Sequence, residues 1–567
     1  MFSPLRIVLL LACVAIHPVL SFKENEFKKC AQTSFCSRNR NVEQGKNFEI
    51  PPATVQLNVA TLTATLVNTQ YSKHLQLTLT SHADGFLRVM VDESPSVGRY
   101  QVPGDILVSG WENKKLGFQE TSRSASSISA SAGNTTVELS FKPFALSISV
   151  KGVPALQLNS RNLFNFEHRR AKQDTDPAGY WEETWMGHTD SKPKGPEAMS
   201  LDLVFPGFQH VYGIPERATS LSLRATDGVA PYSEPYRLYN LDVFEYLEDH
   251  PFGLYGSIPF MMAHKKGLTR QGGNGRRLNA AEMFVDLTKG RGEVGTQWIA
   301  ESGIVDLFVF TGGSAPAVLA SYARVAGTTA LPQLFSLGYH QCRWNYKDEA
   351  DVKAVDAGFD GHEIPYDVLW LDIEHTNGKR CVSVPMLLTL GLTGLPYSGA
   401  DVGGFFGNPD SELMTRWYQV GIFYPFFRGH AHLETQRREP WLFGPEPTAR
   451  IRTAIRERYA LLPYIYTLFR AANTSGLPIL RPLWYEFPES EELFAVEEEF
   501  MVGSGMLVKP VVAPGVSLVD VTLPVAARWY DALTGVAVPP RTRTHRVQAQ
   551  PHGTALQHGT ALHGAGE

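Results

Sequence analysis

Between Ser336 and Phe406 two apolar runs each end in an acid, and no other feature restricts the architecture as much. Val368, Leu369, Trp370 and Leu371 form an unbroken apolar run between polar flanks, the pattern of a strand buried in a parallel sheet. Asp372, Glu374 and His375 follow at its C-terminal end, where α/β barrels carry their chemistry. The run Leu395-Pro-Tyr-Ser-Gly-Ala-Asp401 repeats the arrangement, delivering an acid into a glycine-rich loop. Taken singly, either aspartate reads equally well as a helix cap or as an acceptor of turn N–H groups.

Residues 1–21 have the form of a secretory signal. Arg6 supplies the positive start, Ile7 to Ile16 the apolar stretch, and Ser21 a plausible cleavage point. A buried N-terminal helix is the alternative. That stretch is too short to cross a bilayer, and no later run approaches ~18 uninterrupted apolar residues, so no membrane span is expected. A net charge of −5 gives no electrostatic reason to expect nucleic acid or an anionic membrane as partner. Of five cysteines, Cys30 and Cys36 stand six apart, close enough for a local disulfide in an oxidising compartment. One such pair offers too few ligands for a metal, and no metal site is expected. Cys342 follows a strand pattern and reads as a buried thiol, while Cys381 has no assigned role. Asn134-Thr-Thr and Asn473-Thr-Ser are glycosylation sequons, the second just after an amphipathic helix.

From about Phe48 to Phe310 short alternating segments such as VQLNVATLTATLV, FLRVMVD and ALSISV are separated by turn residues, which predicts an antiparallel β-sandwich. The polar stretch 172–196 interrupts it and reads as a mobile insertion. Farther on, Ile451, Ile455, Tyr459, Leu462, Tyr466 and Phe469 repeat at helical spacing, with Arg452, Arg456 and Arg458 off that stripe. Strand patterns return between Trp484 and Val538. The remainder, 539–567, carries the repeats HGTALQ and HGTALHG and reads as a low-complexity tail. A loose metal site at His552, His558 and His563 is the weaker reading of it.

The segments FSLGYHQCRWNY, WLDIEHTNGKR, GADVGGFF and YPFFRGHAH resemble glycoside hydrolase family 31. So do VYGIPERA, PYRLYNLDVFEY, LYGSIP, LNAAE, RWYQVGIFYPF, RREPWLF and RPLW, and the likeness runs over most of residues 28–535. It implies a multidomain α+β chain: an N-terminal β-sandwich over 22–325, a (β/α)8 barrel region over 326–483 and part of a C-terminal β-sandwich over 484–538. It also implies a retaining α-glucosidase that needs no cofactor. The most similar branch of the family trims glucose from N-linked glycans in the endoplasmic reticulum lumen, where a β subunit retains it.

The chain departs from this family in the middle of the barrel. Relatives continue after the WLDIEH strand through several βα units, with the nucleophile in a WNDMNEP-like segment and the acid/base residue in a TGD-like one. Here Lys379-Arg380 runs into Cys381-Val-Ser-Val-Pro-Met, which resembles the helix before the seventh strand, and neither motif occurs in the 567 residues. At about 31 residues per βα unit, strands three to six need roughly 125 residues that are missing. An incomplete barrel without catalytic residues is therefore expected. The segment HKKGLTRQGGNGRRLNAAE departs too, with glycines and basic residues where relatives have an apolar strand.

Carried over by position, Asp372 would bind hydroxyls of a terminal glucose with Ile373 packed beside it. Trp344 would offer an aromatic face, Phe405 an apolar wall, His430 a contact near the reacting carbon, and Asp401 a brace. Asp242, in LYNLDVF, would reach the pocket from the N-terminal domain, although alone it reads as a turn acid. Two functional readings follow: an incomplete α-glucosidase acting in glycan trimming, and a non-catalytic chain that binds carbohydrate or a partner.

Overall fold

The computed structural model describes residues 27–243, 246, 249–266, 274–277, 279–290, 292–372, 384–532, 534–538, 544–548 and 554–559. The signal segment 1–21, Ile373, Glu374, His375, Cys381 and the histidines His552 and His563 lie outside these residues.

Two antiparallel sheets form the N-terminal part. One carries Thr61–Asn68, Lys73–His82, Phe86–Glu93, Val305–Phe310, Asn274–Arg277, Phe260–His264 and His210–Gly213 in that order. The other has Met199–Pro206 and Glu293–Ala300 near its centre. Along Thr61–Asn68 burial alternates, so Leu62, Ala64 and Leu66 point inward to meet Leu139, Leu146 and Leu203 of the opposite sheet. Met199–Pro206 is instead buried on both faces. The outer face of that sheet is covered near Phe284 and Ile299 by Phe35 and by the disulfide Cys30–Cys36.

Three sequence expectations change here. The stretch 172–196 contains a hairpin, Glu182–Trp185 against His188–Ser191, rather than a mobile loop. Charge ties it down: the Glu183 carboxylate accepts from Ser34 Oγ at 2.6 Å and Lys192 Nζ at 3.0 Å, and pairs with Lys28. The glycine-rich departure still supplies a strand, because Asn274–Arg277 pairs on both sides, with Phe260–His264 and Val305–Phe310. Backbone hydrogen bonds do not depend on apolar side chains, which is why composition hid it. Asn473 lies inside the last turn of the helix Pro445–Ser475, and its amide donates to the Thr329 carbonyl at 2.9 Å. Asn134, by contrast, is exposed in the turn between Ser127–Ala132 and Thr135–Phe141.

The barrel region holds parallel strands. His340–Gln341 lies between Val368–Leu369 and Arg428–Gly429, and a parallel bridge from Gly429 to Val402 adds a fourth position. Around them pack the helices Glu349–Gly361, Val384–Leu392, Ser411–Gly421 and Pro445–Ser475. Asp348 and Asp410 cap two of these by accepting from Asp351 N and Leu413 N. The expected buried strand Val368–Leu371 is a correction: only Val368–Leu369 pairs, Trp370 is 36% exposed and Leu371 71%. Val368–Leu369 is the edge of its sheet among the described residues, so nothing there covers the far side of the run.

Arg458 also overturns its reading. It is fully buried, and its guanidinium donates to the carbonyls of Leu337, Ile422, Tyr424 and Pro425 at 2.7–3.0 Å. Its chain thus satisfies carbonyls left over at the end of the Ser411–Gly421 helix and at the entry to the first strand. Finally, the tail boundary at 539 moves. Thr544–Gln548 pairs with Leu518–Thr522, and Thr554–Gly559 sits between Met506–Lys509 and Arg528–Asp531 within a six-stranded sheet. Among the described residues no helix is long and apolar enough to cross a membrane.

Candidate functional site

The C-terminal ends of the parallel strands bring together Cys342, Asp372 and His430. Register fixes them: Cys342 N–H donates to the Gly429 carbonyl at 2.8 Å and Trp370 N–H to the Gln341 carbonyl at 2.9 Å. Cys342 and His430 therefore leave their strands level with Trp370, and Asp372 follows two residues farther along its own strand. His430 Nε2 stands 3.1 Å from Asp372 Oδ2. One donor atom each from Cys342, Asp372 and His430 falls within 4.8 Å of the others. Cys342 and His430 are buried at 2% and 8% exposure. Burial pushes the Cys342 thiol pKa up; Arg428 opposes that shift, and the carboxylates of Asp372 and Asp401 add to it.

Asp401 occupies the other flank. It is buried and accepts from Arg428 at 2.9 Å, while the Arg428 guanidinium lies over the Trp370 and Phe426 rings at 5.0 and 5.3 Å. Asp401 spends its carboxylate on Arg428 rather than on a helix cap. Phe405 packs on His430 with ring centroids 4.9 Å apart, and His432 N–H donates to the Phe405 carbonyl at 2.8 Å. Trp344 is buried edge-on against His432 at 4.9 Å, held by its own N–H on the Ala431 carbonyl at 3.0 Å. A small cavity, of the order of one water molecule, lies among Gln341, Cys342, Tyr418, His430, Arg438 and Glu439.

Two arginines missed by sequence reasoning hold the loops in place. Arg343 donates to the carbonyls of Leu433, Thr435 and Gln436 at 2.7–3.1 Å, which shapes the loop after His430. Arg438 gathers the carbonyls of Gly403, Gly404 and Gly407. Gly403 and Gly404 have φ of +97° and +71°, so that the loop after Asp401 turns its carbonyls toward this cation. Burial lowers the Arg438 pKa to about 10, and it remains charged at neutral pH. Both arginines lie within the quoted motifs CRWNY and RREPWLF, the available clue to their role.

Of the residues singled out from sequence, Trp344, Asp372, Asp401, Phe405 and His430 gather here, and Ile373 lies outside the described residues. Asp242 is exposed on a separate loop, whose Val243 and Leu254 pack with Met386 of the helix Val384–Leu392.

Comparison with known proteins covers every part of this architecture. Residues 76–286 match the glycosyl hydrolase 31 N-terminal galactose mutarotase-like domain, and residues 476–561 the glycosyl hydrolase family 31 C-terminal domain. The family 31 TIM-barrel domain matches in two pieces, 329–384 and 381–468, whose seam falls at the Arg380–Cys381 junction. A "Probable glucan 1,3-alpha-glucosidase" of Arabidopsis thaliana is 36% identical, over 94% of this chain and 81% of its own. That alignment runs for 755 residues but takes in only 94% of these 567, so about 220 of its positions fall opposite gaps here. "Neutral alpha-glucosidase AB" of Mus musculus is 31% identical, over 93% of this chain and 81% of its own. The crystal structure of an ER glucosidase II heterodimeric complex, catalytic subunit with the binding domain of the regulatory subunit, superposes with a TM-score of 0.88 at 29% identity. It covers 94% of this chain and 83% of that one. The chain is α-glucosidase-like in sequence and structure alike, and it belongs to glycoside hydrolase family 31.

Proposed function

We propose that this chain is a glucosidase II α-subunit-like protein that holds an α-linked terminal glucose without hydrolysing it. In this reading Asp372 and His430 bind the sugar hydroxyls, Trp344 and Phe405 line its faces, and Asp401 braces the pocket through Arg428. Ile373 and Asp242 complete it from the neighbouring loops.

The observation that carries the reading is the disposition of the two acids. Retaining hydrolysis needs two carboxyl groups about 5–5.5 Å apart, one attacking and one protonating. Asp372 and Asp401 follow strands at opposite ends of the order 368, 340, 428, 402, with two strands between them. Each faces its own basic partner, His430 and Arg428, rather than the other acid. The WNDMNEP-like and TGD-like segments are absent from the sequence, and the seam in the barrel match supports loss of strands three to six. The same resemblance supports an endoplasmic-reticulum location, a glucosylated N-glycan as ligand and a regulatory β subunit as partner.

Titration calorimetry with a glucose-containing disaccharide, beside a turnover assay on a chromogenic α-glucoside, tests this. Binding that is lost in Asp372→Asn, with no turnover, is the expected result. Turnover by the purified chain overturns the non-catalytic reading, and absence of binding overturns the sugar site. Sequencing the source transcript across Arg380–Cys381 separates a genuinely short protein from a longer one: a hundred or more further residues there, with both motifs, restores ordinary catalysis.

A further inference from the structure

We infer that Cys342, Asp372 and His430 form a binding site for a thiophilic divalent cation, with Zn²⁺ the best match. The inference does not rest on the sugar-binding reading, though a cation there and a sugar would compete for Asp372 and His430.

The donor set is sulfur, nitrogen and oxygen, the combination zinc accepts in three-ligand sites that keep a fourth position for water. Ligand bonds of about 2.0–2.3 Å place tetrahedral donors roughly 3.3–3.7 Å apart. His430 Nε2 and Asp372 Oδ2 already stand at 3.1 Å, and all three donors fall within 4.8 Å, so closure around an ion asks for about 1 Å of side-chain adjustment. Three adjacent parallel strands lead into the residues; backbone hydrogen bonds set Cys342 and His430 level before any ion arrives, and Asp372 reaches them from two residues farther along the third strand.

Charge argues the same way. On binding, the Cys342 thiol gives its proton to solvent, so a thiolate, a carboxylate and a neutral imidazole surround a doubly positive ion. The core of the site is then neutral, the condition under which ionised groups are tolerated where Cys342 and His430 are buried. The nearest further charges, Arg428 and Asp401, already cancel each other in their own pair.

The test is a titration of the whole purified chain with Co²⁺ as spectroscopic probe, followed by Zn²⁺ in equilibrium dialysis. One ion per chain is expected, with a thiolate-to-cobalt charge-transfer band in the near ultraviolet that Zn²⁺ abolishes. Cys342→Ser should remove the band and weaken Zn²⁺ at least tenfold, and His430→Gln should weaken it comparably. Cys381→Ser, and the triple replacement of His552, His558 and His563 by Ala, should leave both readings unchanged. Absence of the thiolate band in the unmutated chain overturns the proposal even if a variant fails to fold. So does binding that survives Cys342→Ser and disappears with the tail histidines. Because no sugar is present, failure here leaves the sugar site standing, and the converse holds too.

Discussion

The N-terminal sandwich and the barrel region spend similar side chains on different problems. In the sandwich, strands of five to ten residues pair on both sides, and alternation sends every second side chain into one shared core. In the barrel region the strands are two residues long, and among the described residues Val368–Leu369 pairs on one side only. Its order comes from the helices outside and from buried arginines that tie loose carbonyls together. A sheet whose strands find partners on both sides stabilises itself. One with an open edge leans on whatever surrounds it.

The sharpest way to break this contrast is Arg458→Met. Four carbonyls lose their donor at once, and each buried unsatisfied group costs about 1–3 kcal/mol. We expect a loss of at least about 4 kcal/mol, read as accelerated hydrogen exchange in the barrel region with the sandwich still protected. If the sandwich exchanges equally fast, the two regions are one cooperative unit. Next in size is a matched pair. Leu139→Ala, inside the sandwich at 1% exposure, should cost about 3 kcal/mol, and Leu369→Ala on the half-buried edge about 1 kcal/mol. Equal losses would mean that the edge is covered after all.

These comparisons also show what could be read in the chain itself. Sandwich strands were legible because alternation is a local property of five or more residues. The acids, Trp344, Phe405 and His430 were legible because each lies in a long motif at a strand end. Arg458 was not, since helical periodicity assigns an arginine off the apolar stripe to solvent, and Arg343 and Arg438 were not, since they lie in loops that carry no periodic signal. Only the placement of distant carbonyls reveals otherwise. Trp370 and Leu371 misled for the opposite reason: an apolar run predicts burial, but burial needs a neighbouring strand. Thr554–Gly559 became a strand despite its low-complexity composition because two partner strands supply the ladder on either side.

A third prediction tests the joint between the sandwich and the C-terminal part. His264 is buried, stacks on Trp484 at 5.0 Å and hydrogen-bonds the Pro488 carbonyl at 3.1 Å. Burial lowers its pKa to about 4 from 6.5. A histidine whose folded pKa is depressed contributes stability that is full above pH 6.5 and is lost as pH falls toward 4. At one pKa unit per 1.36 kcal/mol the loss reaches about 2–3 kcal/mol. His82 in the sandwich is lowered to about 4 by the same cause, with Lys115 and Arg88 adding to it. Denaturant midpoints between pH 7 and 4 should therefore fall for both regions, and His264→Phe should flatten the slope for the C-terminal part alone. A slope that His264→Phe leaves unchanged assigns the acid sensitivity to other groups.

The smallest effect sharpens the contrast most at the sheet edge. Leu371 is 71% exposed just beyond Val368–Leu369, an edge that no strand among the described residues pairs with and that offers a template to another chain. Placing a charge there removes no buried contact, so Leu371→Lys should change stability by less than about 0.5 kcal/mol. It should nevertheless slow aggregation measurably, because lysine on an edge strand opposes edge-to-edge pairing. The matched change in the sandwich, Val89→Lys, puts an ammonium at a fully buried position of a strand paired on both sides and should prevent folding of that region. Light scattering at fixed concentration and temperature, with denaturant midpoints alongside, separates the two outcomes. If Leu371→Lys destabilises the chain as a core substitution would, the apolar run is buried in solution, and the barrel region closes on itself in a way the exposed edge does not show.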